Sequence, residues 1–119
     1  MDAIRKLRLE ELIRIQIMSM ISRGQIKDPR VVWHVNLTKV YIAEDLSIAK
    51  IYVSSDKGKK TISTACQGLN SAAGFIRVQL GKVMKSKNTP KPIFFPDDEL
   101  QKSYGVEKLL DQITEITVE

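Results

Sequence analysis

The chain has 119 residues, 43% apolar and 28% charged, a size and balance that predict one soluble domain spanning residues 1–119 around one core. No apolar run approaches the roughly 18–20 residues that cross a bilayer. Arg5, Lys6, Arg8, Glu10 and Glu11 break up any leader-like opening, and the single Cys66 excludes an internal disulfide, so a reducing, cytoplasmic setting is expected. The net charge of +5 is unevenly placed: residues 57–96 carry eight Lys/Arg and no carboxylate, whereas residues 97–119 carry two basic and seven acidic residues. That block favours a polyanion partner, and nucleic acid over a membrane, because no Lys-rich face is paired with exposed Trp, Phe or Leu.

In chain order, residues 3–23 predict a helix, built from good helix formers without Gly or Pro. Ile4, Leu7, Leu12, Ile15, Met18 and Ile21 form one stripe, and Leu9, Ile13, Ile17 and Met20 widen the apolar face, so the helix is either buried on several sides or covered by a partner. Arg23 and Gly24 stop it. A connector over 25–34 follows, with Pro29 holding Asp28 out of the helical region. Residues 35–42 and 48–54 alternate as two strands of a hairpin, with Val35, Leu37, Lys39 and Tyr41 set against Asn36, Thr38, Val40 and Ile42 in the first.

The second helix is expected from Lys60 or Thr61 to about Met84. Ile62, Ala65, Cys66, Leu69, Ala73, Ile76, Leu80, Val83 and Met84 make a stripe of period 3.6, and Arg77, Lys82 and Lys85 lie across the helix from it. Gly74 interrupts this run. A glycine costs about 1 kcal/mol in a helix interior, so it marks a bend or a close approach of another element. Phe75 leaves the stripe in a straight helix; a bend at Gly74 would reset the phase and bury it, which is the preferred reading. Ile93, Phe94 and Phe95 predict a short third strand that Pro90 and Pro92 keep from being central. Asp97 or Asp98 is expected to cap a last helix over roughly 98–114.

Catalytic chemistry finds little support. His34 has no partner at metal-ligand spacing, Cys66 lies on a core stripe, and no phosphate-binding loop or nucleophile elbow occurs. No catalytic residue, metal ligand or cofactor is assigned, and the chain is expected not to be an enzyme.

The order helix, hairpin, long bent helix, strand, helix resembles a KH-like domain of type II order, an α+β fold with helices on a three-stranded sheet. KH domains grip nucleic acid through a GxxG loop, but Gly68-Leu-Asn-Ser-Ala-Ala-Gly74 contains none. At that point the sequence resembles the bacterial ribosome-binding factor A family, whose Ala-x-Gly kink corresponds to Ala72-Ala73-Gly74. IKDPR at Ile26–Arg30, DLSIAKIYVS at Asp45–Ser54, GFIRVQLGK at Gly74–Lys82, and Pro90, Phe94 and Asp98 fit the same pattern, over roughly residues 5–113. Pro92 replaces a usual aliphatic residue and Glu99 a common Ser, while Gly24 interrupts what is often a longer first helix. The resemblance implies a non-enzymatic factor, monomeric when free, that binds the immature 30S subunit and 16S rRNA and supports its late maturation and rRNA processing, notably in the cold.

From the charge block, Arg77, Lys82, Lys85 and Lys87 are the expected centre of an RNA-binding surface, with Lys91, Lys27 and Arg30 flanking it; the family motif gives Arg77 extra weight. Recognition by phosphate and shape is expected, because no base-reading aromatic set is visible. A protein-interaction module docking through the apolar first helix, and a small enzyme using His34, are the competing readings.

Overall fold

The computed structural model describes residues 2–32, 34–85 and 88–97. Asp2 caps the first helix, α1 (Ala3–Ser22), its carboxylate accepting the Arg5 N–H at 2.9 Å. Arg23 closes the helix and Gly24, at φ +67°, turns the chain out in the left-handed region that glycine tolerates. The buried side of α1 is Glu10, Ile13, Ile17, Met20 and Ile21. Of the two overlapping apolar stripes, the one through Ile13 and Ile17 faces the core. Ile4 and Leu7 of the other are 64% and 65% exposed, which corrects the expected leading stripe.

β1 (Asn36–Ile42) pairs antiparallel with β2 (Ile48–Ser54). The register shifts between Leu37 and Lys39, leaving Thr38 as an extra residue. Such a bulge reverses the side-chain phase beyond it. Leu37, Val40 and Ile42 therefore point inward, while Lys39 and Tyr41 point outward, correcting the expected grouping of Leu37 with Lys39 and Tyr41.

The expected long helix is two, α2 (Lys59–Ser71) and α3 (Ala73–Val83), separated at Ala72. β3 (Lys91–Pro96) then runs parallel to β2 as an edge strand, giving the order β1-β2-β3. Two prolines fit this strand because of how its amides point. Lys91 N–H donates to Ser47 O and Asp97 N–H to Val53 O, so alternate nitrogens face β2. Pro92, Phe94 and Pro96 face away; the Phe94 N–H donates to Asn70 Oδ1 at 2.8 Å, and the Asn70 amide returns a bond to Phe94 O. The outer edge of β3 is thus closed by two prolines and one side chain. On the β1 edge, the Ile42 N–H donates to the buried Glu10 carboxylate at 2.8 Å. Both devices suppress edge-to-edge strand pairing.

Ile13, Ile17, Leu37, Ile51, Val53, Leu69, Ile76 and Leu80 form the fully buried heart of one continuous core between the helices and one face of the sheet. This α-β-β-α-α-β domain has the expected KH-like fold. The expected final helix over 98–114 lies outside the described residues. Asp97, considered as its cap, is buried and accepts a hydrogen bond from the Thr38 hydroxyl.

Candidate nucleic-acid interface

The break between α2 and α3 organises the cationic block. At Ala72 the backbone leaves the helix at φ −90°, ψ 6°, two residues before Gly74. Gly74 sits inside α3, exposed, and a Cβ placed on it would meet nothing within 4 Å. The bend is therefore centred on Ala72, and Gly74 leaves an open spot on the surface of α3. The packing glycine is instead Gly68, where a Cβ would lie 2.9 Å from Val31 Cγ2, 3.0 Å from Arg30 Cβ and 3.2 Å from Asp28 Oδ1. The connector before β1 lies directly on α2 at that point.

Arg30 secures this contact. Its guanidinium forks onto Asp28 (Nε to Oδ1 2.9 Å, Nη2 to Oδ2 2.7 Å), and Nη2 also donates to Ser71 Oγ at 2.9 Å. The Arg30 side-chain hydrogen bonds hold the Asp28 carboxyl down at about 2, so the pair is fully charged at neutral pH. Arg30 thus stands beside the α2–α3 break with part of its charge already matched. Lys27, in the same connector, is exposed.

α3 carries the rest. At 100° per residue, Gly74, Phe75, Val78 and Lys82 share the outward face, opposite buried Ile76 and Leu80. Phe75 is 43% and Val78 60% exposed, so the expected burial of Phe75 is corrected: the bend precedes it and leaves it outside. Arg77 lies about 140° around the helix from Lys82. It is exposed, yet its Nε–H donates to Thr89 O at 3.0 Å, and Thr89 Oγ1 lies 3.1 Å from where a Gly81 Cβ would be. Arg77 therefore props the chain leading into β3 against α3, with the outer part of its guanidinium still accessible. Lys85 follows the Met84 C-cap and is exposed, as is Lys91 at the start of β3. Lys87 lies outside the described residues.

The structure thus places Lys82 on the outward face of α3 and Lys85 just past its end, with Arg77 turned around the helix toward Thr89 and Arg30 beside the break; α3 itself is about 16 Å long at 1.5 Å per residue. Lys59 and Lys60 add charge at the start of α2, and the described part of residues 57–96 contains no carboxylate to oppose them.

The structure also brings together three aromatic rings that sequence reasoning leaves apart. Tyr41, Tyr52 and Phe95 meet on the face of the sheet that no described helix covers, Tyr41 and Tyr52 edge-on with centroids 6.2 Å apart, Tyr52 and Phe95 tilted at 5.9 Å. Outward phase in each strand was the available signal, and the bulge at Thr38 hid it for Tyr41. Cys66 is buried, and burial pushes its thiol up to about 11, so it is a poor nucleophile. His34 Nδ1 lies 3.2 Å from Ser55 Oγ, and the described residues contain no cluster of three or more His, Cys, Asp or Glu able to hold a metal. No helix among the described residues is long and apolar enough to cross a membrane.

Comparison with known proteins fits this geometry. The family model described as ribosome-binding factor A matches residues 5–110. The chain is 40% identical over 108 residues to the ribosome-binding factor A of Borreliella burgdorferi strain ZS7, covering 91% of this chain and 90% of that protein. It is 35% identical over 108 residues to that of Clostridium botulinum strain Loch Maree, covering 91% and 89%. The solution structure of a Thermotoga maritima protein described as a putative ribosome-binding factor A superposes with TM-score 0.68 at 28% identity, covering 80% of this chain and 89% of that one. The crystal structure of the Thermus thermophilus factor gives 0.63 at 21%, covering 76% and 94%, a likeness of fold. The chain belongs to the ribosome-binding factor A family, a non-enzymatic family.

Proposed function

We propose that this protein binds the immature small (30S) ribosomal subunit in the cytoplasm through 16S rRNA and supports its late maturation, including rRNA processing and growth in the cold. The observation that carries this reading is the exposure of Arg77, Lys82 and Lys85 on and just past α3, with no carboxylate in the described part of the surrounding forty residues. Membership of the ribosome-binding factor A family supports it. So does the T. thermophilus relative, whose coordinates were fitted into the cryo-EM map of a complex with the 30S subunit and superpose at TM-score 0.51 and 19% identity, covering 71% of this chain and 90% of that one.

Mechanistically, Lys82 and Lys85 supply point charges for phosphates, and Lys87 and Lys91 extend the track; Lys27 and Arg30 bound it near the helix break. Arg77 adds a planar, partly committed guanidinium. Each phosphate contact releases counterions, so affinity falls steeply as salt rises. Val78, Phe75 and the bare surface at Gly74 let the helix approach RNA closely between those charges. No bond is made or broken: the protein acts by occupying and shaping rRNA as a monomer.

Two experiments test this. Purified protein should co-sediment with precursor small subunits more strongly than with mature ones. A strain lacking the gene should accumulate free subunits and unprocessed small-subunit rRNA at low temperature; normal ribosome profiles there would overturn the maturation role. The exposure of Ile4, Leu7 and Ile15 on α1, at 64%, 65% and 50%, favours a second reading in which α1 docks on a protein. Salt-insensitive association that is lost on replacing Ile4 and Leu7 by Ser would favour that reading.

A further inference from the structure

We propose that the sheet face that no described helix covers is a second RNA-contacting surface, one that stacks unpaired bases on Tyr41, Tyr52 and Phe95. The inference rests on the RNA-binding reading above and adds to it a site on the opposite side of the fold from the helix-covered core. Strand register sets the surface out in rows. Lys39, Tyr52 and Phe95 lie side by side across β1, β2 and β3, next to Tyr41, Lys50 and Ile93, with Ile48 and Lys91 beyond.

The three rings form one band across all three strands. Tyr41 is 49% and Phe95 37% exposed, with Tyr52 half-buried between them. Rings so displayed in contact on a small domain mark an interaction surface. Strand pairing at the edges is hindered: Glu10 takes the Ile42 amide of β1, and Pro92, Asn70 and Pro96 close the outer side of β3. The displayed rings lie on the face instead.

Its chemistry selects the occupant. The rows contain Lys39, Lys50 and Lys91 and no carboxylate, with Lys39 Nζ held 5.8 Å from the Tyr41 ring centroid. Asp97 stands at the far margin, accepting from Thr38. Aromatic faces interleaved with cations suit a ligand of flat rings joined by anions, which is a single-stranded nucleic acid. Sheet-borne aromatics that stack two or three bases are an established solution for reading unpaired RNA. A duplex keeps its bases stacked on one another and so offers this face only phosphates. Lys91 belongs to this surface and to the track proposed along α3, so one strand could pass from one to the other around β3.

The test uses the full chain and a labelled unstructured RNA of about ten nucleotides, within the span such surfaces cover. Tyr52→Leu with Phe95→Leu removes the rings and keeps the apolar bulk. Affinity for the single strand should fall about tenfold, while affinity for a duplex of the same length stays within twofold of the parent. Tyr52→Phe, which keeps the ring, should bind like the parent. Small-subunit co-sedimentation is read in parallel. Unchanged single-strand affinity in the leucine variant overturns the proposal, as does an equal loss for duplex. A lower melting temperature with no loss of affinity also overturns it, because it would assign the rings to packing within the chain. If the double variant fails to fold, Tyr41→Leu at the exposed end of the band should still lose about threefold; no loss overturns the proposal. A parent that pellets with subunits but does not bind the oligonucleotide overturns this site alone. One that does neither overturns the proposed function too.

Discussion

α2 and α3 come from one continuous apolar stripe in the sequence, yet only their inner faces are alike. Leu69 in α2 and Leu80 in α3 are both fully buried in the same core. Outside, the two helices differ. α2 carries the connector, clamped on at Gly68 by Arg30 and Asp28, whereas α3 presents Gly74, Phe75, Val78 and Lys82 uncovered. Two glycines six residues apart thus do opposite work: Gly68 admits a neighbour within the chain, and Gly74 leaves room for something outside it. On the proposed reading, a fold that needs α2 for its own closure and leaves the outer face of α3 uncovered among the described residues separates stability from binding along one stretch of chain.

That contrast gives predictions that sharpen or break it. The largest concern what the helices share: Leu69→Ala and Leu80→Ala should each cost about 2–5 kcal/mol in denaturant unfolding, by lost burial plus a residual cavity. Very different costs would mean that the core is not continuous across the break. Gly68→Ala should destabilise by about 1 kcal/mol, since the clash with Val31 and Arg30 outweighs the helix-propensity gain. Gly74→Ala should do the reverse, adding about 0.5–1 kcal/mol because its surroundings are empty and its backbone is helical, while weakening small-subunit pelleting. If Gly74→Ala destabilises and leaves binding intact, the assignment of the two glycines is wrong.

The smallest effect is a pH response of the clamp. Asp28 titrates at about 2 against an ordinary 3.8. Its contribution is complete above 3.8 and is lost as pH falls from there toward 2. Asp28→Asn should lower the melting temperature by a constant amount at neutral and alkaline pH and remove that step from the acid side, so that the two profiles converge as pH falls toward about 2.

Much of the architecture was legible because burial follows periodicity. The 3.6-residue stripe from Ile62 to Leu80 and the alternation of Ile51 and Val53 with Tyr52 named those core residues correctly. Element order together with the KDPR, AAGF and LGK segments placed the chain in its family. The misses have physical causes. Helix α1 is apolar on so many sides that sequence alone could not choose between its two stripes; contact with the sheet chose. One extra residue, Thr38, reversed the phase of β1 and concealed Tyr41. Of the two residues expected to form the kink, Ala72 carries the break and Gly74 lies within α3, a choice that apolar spacing does not encode. For the cations, sequence gave type and number, but not that Arg30 is paired with Asp28 or that Arg77 holds Thr89. Those engagements depend on residues 41 and 12 positions away in one case each, or on a turn geometry that composition does not encode.

The central claim is that an accessible run of positive charge along α3 binds ribosomal RNA. It is tested most directly by pelleting with purified small subunits across a salt series, comparing the parent with Lys82→Glu/Lys85→Glu. Parent binding should fall steeply with salt, and the double variant should bind weakly even at low salt, with a slope of log affinity against log salt shallower by about 1.5–2. Equal pelleting of the two proteins, at every salt concentration, would contradict it.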